Sequence, residues 1–356
     1  MRQKNDDQMN HSFSNMNPEK HPNRSRSEEL LLQVVKDEIE SRLETSLHHA
    51  SLNQFKFQKQ SEKVNRLWNL ELRTDSALEL LPPKISALEI FEHVEVAGRL
   101  LIVGKAGSGK TTMMLELARE LVEQAEIDSA CPIPIIFDFS SRKSAKQPIS
   151  DWLADDLKLR YGVRYGTKVN SEENYLARFR LLPLLDGLDE VETSTLANHV
   201  WAVNEWLQAI NCPSRLVICS KWEEFEKPGT WHPGALVRLS IKGTLLLKPL
   251  TDEQIQIYLA ALEASSLWQL LQQDKNLLKT ARIPFWLNVI CISRAGLSLE
   301  GLQQLTSESQ LSQYLLDAYI GEMLQRGLLG GAVRKYKAPT NEQTKRWLAE
   351  ILHHSQ

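Results

Sequence analysis

Apolar and polar positions follow two different periods along this chain, and the change between them divides it. Leu32, Val35, Ile39, Leu43 and Leu47 recur at three- and four-residue steps, which predicts an amphipathic helix of about five turns. The simplest role for it is to dock on the next domain. Residues 1–28 before it are polar, with few apolar side chains, the composition of a disordered tail. Residues 51–85 are mixed and hold the breaker Pro82-Pro83, so a partly ordered linker is expected over 29–97 after the helix. Short apolar runs then alternate with helical patterns. Arg99–Val103, Pro134–Phe139, Arg180–Asp186 and Arg215–Lys221 read as buried strands, and Leu236–Ile241 with Thr244–Leu247 as one or two closing strands. Between them lie helical patterns at Thr112–Leu121, at Trp152–Leu157 after a Ser150 N-cap, and at Leu196–Ile210, with a loop over 162–175. Pro183 is awkward inside a central strand because it removes a ladder donor.

From Thr251 no strand pattern returns. Thr251-Asp252-Glu253-Gln254 is a capping box. Helices are expected near 255–262, 267–280, 284–294, 311–325 and 341–352, the last capped from Thr340. The division is therefore a tail at 1–28, a helix and linker at 29–97, an α/β domain at 98–250 and a helical domain at 251–356. Composition narrows the classes. The 356 residues carry a net charge of −3, so no general basic bias points to nucleic acid. No apolar run approaches the ~20 residues that span a bilayer, and no signal peptide is visible, so a cytoplasmic protein is expected. Cys131, Cys212, Cys219 and Cys291 lack paired metal-ligand spacing and read as reduced core thiols. The adjacent pairs His48-His49 and His353-His354 point apart on a helix and suggest no metal site.

The chemistry starts at Gly104-Lys105-Ala106-Gly107-Ser108-Gly109-Lys110-Thr111. It reads G-x-x-x-x-G-K-T, the phosphate-binding P-loop, between a predicted strand and a predicted helix that begins through Thr112. Glycines let the backbone wrap a polyphosphate and turn its N–H groups inward. The helix N-terminus adds partial positive charge at the same place. Lys110 is expected to reach the β- and γ-phosphates, and the Thr111 hydroxyl to sit on Mg²⁺. About 75 residues on, the apolar run Leu181–Leu185 ends in Asp186, where a carboxylate can hold Mg²⁺ or its water opposite Thr111. Asp189 and Glu190 follow as candidates to orient an attacking water. Ser220 and Lys221, at the end of another strand, are candidate γ-phosphate sensors, and a cation there would stabilise transferring charge. The cofactors are then ATP or GTP, with Mg²⁺.

Leu185-Asp186-Gly187-Leu188-Asp189-Glu190, Ile218-Cys219-Ser220-Lys221, Leu247-Lys248-Pro249-Leu250-Thr251 and Arg282-Ile283-Pro284-Phe285-Trp286-Leu287 follow the P-loop in that order. This set resembles NACHT-domain proteins of the STAND class of P-loop NTPases, over about residues 28–352. The spaced acids Asp186 and Asp189-Glu190 are its most specific mark. The resemblance implies an α/β P-loop NTPase with a parallel sheet (AAA+/STAND-like), preceded by a helical arm and followed by an all-helical domain. It also implies Mg²⁺ binding by Asp186, hydrolysis by Asp189 with support from Glu190, and closure over the nucleotide by the Pro284 motif. Family members usually have arginine where this chain has Lys221, which keeps the charge and loses the planar fork. They also continue beyond the helical domain, whereas this chain stops at Gln356, so a minimal switch or a truncated member is expected. A nucleotide-controlled switch that self-associates and meets an unidentified protein partner is the leading reading. A nonhydrolytic scaffold and a small-molecule kinase remain open. The ABC-ATPase signature and the N-K-x-D base reader of Ras-type GTPases are both missing from the sequence.

Overall fold

A computed structural model describes residues 24–46, 68–82, 85–162, 180–188, 190–191, 193–209, 212–221, 239, 241–303, 305 and 307–329. Its strands are β1 (Leu70–Arg73), β2 (Leu78–Leu80), β3 (Arg99–Gly104), β4 (Ile133–Asp138), β5 (Leu181–Asp186), β6 (Leu216–Lys221) and β7 (Gly243–Leu247). They form one seven-stranded sheet in the order β2-β1-β7-β3-β6-β5-β4. The five strands from β7 to β4 run parallel, while β1 and β2 are added antiparallel at the β7 edge. Parallel strands are covered on both faces, which requires unbroken apolar runs. Leu100, Leu101, Ile102 and Val103 in β3 are accordingly all buried. Pro183 fits inside β5 because the ladder to β6 starts at Leu184, one residue after the missing N–H.

Five helices precede or cross the sheet among the described residues: α1 (Arg26–Glu44), α2 (Ala87–Phe91), α3 (Lys110–Ile127), α4 (Ile149–Tyr161) and α5 (Thr193–Gln208). Ser25 and Glu28 form a capping box that starts α1, whose face Leu31, Leu32, Val35, Ile39 and Leu43 is buried. The helix lies antiparallel to α3. Arg24 Nη2 donates to Ala125 O at 3.0 Å beside the C-terminal end of α3, whereas Ser46 stands with Thr111 and Thr112 at its start. Arg160 fastens the other flank of α1 by donating to both Glu38 oxygens at 2.7 and 2.8 Å. After β7 come α6 (Asp252–Ala261), α7 (Ser266–Gln273), α8 (Lys275–Ala281), α9 (Pro284–Ser293), α10 (Leu299–Gln303) and α11 (Glu308–Leu329). One apolar core runs from Leu31 to Leu247 and a second from Leu250 to Leu315.

Several expectations change. The supposed linker contributes β1 and β2, which exist through pairing: Leu70 opposes Leu247 and Leu72 opposes Leu245. Ser150 is not an N-cap; α4 begins at Ile149 behind Pro148, whose backbone is extended (φ −54°, ψ 143°) and which caps without a side-chain hydrogen bond. The helix expected over 267–280 is broken at Asp274, which adopts an extended backbone and caps α8 by accepting from Asn276 and Leu277 N–H. Ile241 lies outside any strand. Cys219 and Cys291 are buried thiols, while Cys131 and Cys212 are half-buried, and none of the four is in a disulfide. Residues 1–23 of the expected tail, the histidine pairs, Leu47, residues 163–175 of the expected loop and the helix expected at 341–352 lie outside the described residues, while the expected tail's last residues, from Arg26, already belong to α1 because Ser25 caps it.

Candidate functional site

The P-loop joins β3 to α3, as its sequence context requires. Gly107 (φ +75°) and Gly109 (φ +95°) occupy left-handed backbone that other residues enter only at a cost. Both are also approached closely. A Cβ on Gly107 would stand 2.9 Å from Phe285 Cβ, and one on Gly109 would stand 2.8 Å from the Trp68 ring. Gly109 serves as N-cap of α3 without a side chain, leaving the first N–H groups of the helix open to an anion. Lys110 Nζ folds over the loop and donates to Gly104 O at 3.1 Å. Ser108 Oγ is buried with no hydrogen-bond partner among the described residues.

The parallel strand order brings the other groups to the same edge. Thr111 Oγ1 donates to Asp186 Oδ1 at 3.2 Å. Burial pushes the Asp186 carboxyl up from the usual range; the Thr111 hydrogen bond and the charge of Arg42 act against this, and Asp138 on the neighbouring strand end adds to it. Lys221 stands in register with Gly104 across the β3–β6 ladder. Glu190 closes a tight turn by donating its N–H to Gly187 O at 2.9 Å. Asp189 lies outside the described residues.

These groups line one cavity of about 550 Å³, within the range of small-molecule sites. Ala106, Gly107, Gly109, Lys110, Thr111, Thr112, Asp186, Glu190, Lys221 and Pro284 all border it. Gly104, Lys105 and Ser108 shape the loop without lining it, and Ser220 is buried within β6. The helical region forms the opposite wall. Phe285 N–H donates to Gly107 O at 3.1 Å, so the Pro284 turn is bonded directly to the P-loop. Trp68 enters from the strand side, with its carbonyl accepting from Gln254 Nε2 at 2.9 Å. Tyr258 Oη donates to Asn288 Oδ1 at 2.8 Å, and Asn288 Nδ2 donates to Pro284 O at 2.8 Å. Ser46, Trp68, Leu250, Tyr258, Phe285, Leu287 and Asn288 are wall residues that sequence reading did not assign. Among these, Leu250, Phe285 and Leu287 carried a signal, as members of the quoted motif stretches.

No protein-family model and no curated protein matches the chain. Among solved structures, it is similar to the Orc1 protein of Aeropyrum pernix in complex with DNA, at 17% identity and a TM-score of 0.36, over 79% of this chain and 70% of that one. It is also similar to PCH-2 of C. elegans, at 16% identity and a TM-score of 0.27, over 67% of each chain. The fold class rests on the sheet itself: a mostly parallel α/β arrangement with the glycine loop between β3 and α3. Among the described residues no helix is long and apolar enough to cross a membrane, and no cluster of three or more His, Cys, Asp or Glu side chains is placed to hold a metal. The hydroxyl and carboxylate of Thr111 and Asp186, 3.2 Å apart, instead offer the sparse oxygen set that suits Mg²⁺ carried in with phosphates.

Proposed function

We propose that the chain is a nucleotide-dependent switch of the NACHT/STAND type that binds and slowly hydrolyses ATP or GTP. One observation supports this most: the P-loop, Asp186 and Lys221 share a cavity with the Pro284 turn, and that turn is bonded to the loop through Phe285 N–H and Gly107 O. Nucleotide state and the position of the helical region are then coupled, because phosphates and Phe285 engage the same short loop. Lys110 exchanges its carbonyl contacts for phosphate oxygens. Thr111 and Asp186 would hold Mg²⁺, which would supply positive charge against the phosphate oxygens. Asp189, supported by Glu190, positions the attacking water, and Lys221 answers the γ-phosphate. The helical region is the element with two arrangements, closed on the loop or released from it. Release exposes a surface for self-association or for another protein.

Nucleotide extracted from the denatured, purified protein, with light scattering before and after Mg-ATP, tests the proposal. Bound ADP in a monomer that assembles on ATP is the expected result. No bound nucleotide, no turnover and no change in size would refute the switch and leave a scaffold.

A further inference from the structure

The sheet ends differently at its two edges. On the β4 edge, Arg160 of α4 lays its Nη1 on Ile136 O at 2.6 Å, so a side chain takes a backbone acceptor of the outermost strand. On the other edge the outermost strand is β2, and among the described residues no strand lies beyond it.

The ladder decides which groups of β2 point outward. Thr74 N–H donates to Ala77 O at 2.9 Å, and Leu81 N–H donates to Leu70 O at 3.0 Å. Hydrogen-bonded pairs alternate along an antiparallel ladder. With Leu72 opposite Glu79, residues 77, 79 and 81 therefore bond inward to β1. Leu78 and Leu80 turn both their N–H and their C=O to the open edge. The far side of β1 agrees, because Lys248 N–H donates to Asn69 O at 2.8 Å and so assigns positions 69, 71 and 73 to the β7 ladder. The Leu78 and Leu80 side chains share one face, and each residue is 63% exposed. The edge is also preformed. The Glu95 carboxylate accepts from Thr74 Oγ1 and Ser76 Oγ and holds the turn before β2.

This edge is complementary to itself. A two-fold axis through Glu79 sets Leu78 of each copy opposite Leu80 of the other, and each such pair exchanges both backbone bonds. An axis at Leu80 would set Leu78 against Pro82, which has no N–H. An axis at Leu78 would set Leu80 against Ser76, which lies in the turn. We propose that two copies of the chain pair antiparallel through β2 about an axis at Glu79, continuing one sheet through both. The leucines of the two copies pack across the junction, whereas Glu79 stands directly opposite its own copy, where like charges repel. The contact is short, well below the ~1,200 Å² of a standard interface. The dimer is therefore weak, and the chain is a monomer at low micromolar concentration.

The test is sedimentation equilibrium of the full chain without nucleotide, from about 1 µM to about 1 mM, the range of weak association. Wild type is expected to move from monomer toward dimer over that range. Glu79→Gln should dimerise about threefold or more tightly, and an equal mixture of wild type with Glu79→Lys should associate more tightly than either protein alone, because position 79 then pairs opposite charges. Leu80→Pro removes an outward N–H and leaves the β1 ladder, which uses residues 79 and 81. It should weaken dimerisation about tenfold or more, the scale of the lost hydrogen bonds, with an unchanged far-ultraviolet spectrum. Wild type and Glu79→Gln that both stay monomeric to about 1 mM would overturn the pairing and leave the edge to a strand of another protein. Dimerisation indifferent to all three changes would overturn it as well, placing the contact elsewhere on the chain.

Discussion

Gly107→Ala probes the joint between the P-loop and the helical region. Two costs can be worked from the structure. Gly107 has φ +75°, a left-handed backbone that costs an alanine roughly 1–2 kcal/mol. The new Cβ would also stand 2.9 Å from Phe285 Cβ and 3.2 Å from Ile283 Cγ2, so the Pro284 turn must retreat. Retreat breaks the 3.1 Å bond from Phe285 N–H to Gly107 O, worth about 0.5–1.5 kcal/mol. The sum is roughly 1.5–3.5 kcal/mol, read as a lower urea midpoint at unchanged slope. The background makes the test sharper. The clashing atom is a Cβ, so Gly107→Ala should cost as much in a Phe285→Ala chain as in wild type. In a Phe285→Gly chain the cost should fall by about 1 kcal/mol, leaving the backbone part. A cost below about 0.5 kcal/mol in wild type, or the same cost in all three backgrounds, would refute the reasoning.

Three further outcomes follow from particular contacts. Asp186→Asn should leave Mg²⁺-free nucleotide binding nearly intact and lower turnover on the order of a hundredfold, because the metal loses its charged oxygen; unchanged turnover in a phosphate-release assay would move that role elsewhere. Tyr258→Phe removes the donor to the buried Asn288 Oδ1 and should cost about 1–2 kcal/mol, seen in urea unfolding. His199 is buried with Nδ1 2.8 Å from Arg142 Nη1, and burial with the Arg142 charge lowers its pKa to about 4. The unfolded chain therefore takes up this proton first as pH falls from about 6.5, and up to about 3 kcal/mol of stability is lost by pH 4. His199→Gln should flatten that slope; an unchanged pH profile would contradict the assignment.

The sequence was most legible where local pattern and chemistry coincide. The β3–loop–α3 unit, the end of β5 at Asp186 and the end of β6 at Lys221 each occupy a few consecutive residues with unbroken apolar runs. The antiparallel strands were not legible, because Leu70–Arg73 is held by a partner far along the chain and β2 is exposed. The cavity wall was hidden for the same reason. Trp68 reaches Gly109 and Gln254 only after β1 pairs with β7. Tyr258 and Asn288 meet across two helices, and neither belongs to a phosphate motif. Asp274 ended a helix because its side chain competes for backbone N–H groups, a local signal that apolar periodicity overran.

Equilibrium binding of Mg-ATP and Mg-GTP to the wild-type chain and to Lys110→Ala tests the central claim most directly. The account predicts saturable binding of at least one nucleotide by the wild type, and about a hundredfold or greater loss in the variant, since a buried polyphosphate loses its pairing cation. Equal affinity in the two proteins would contradict it.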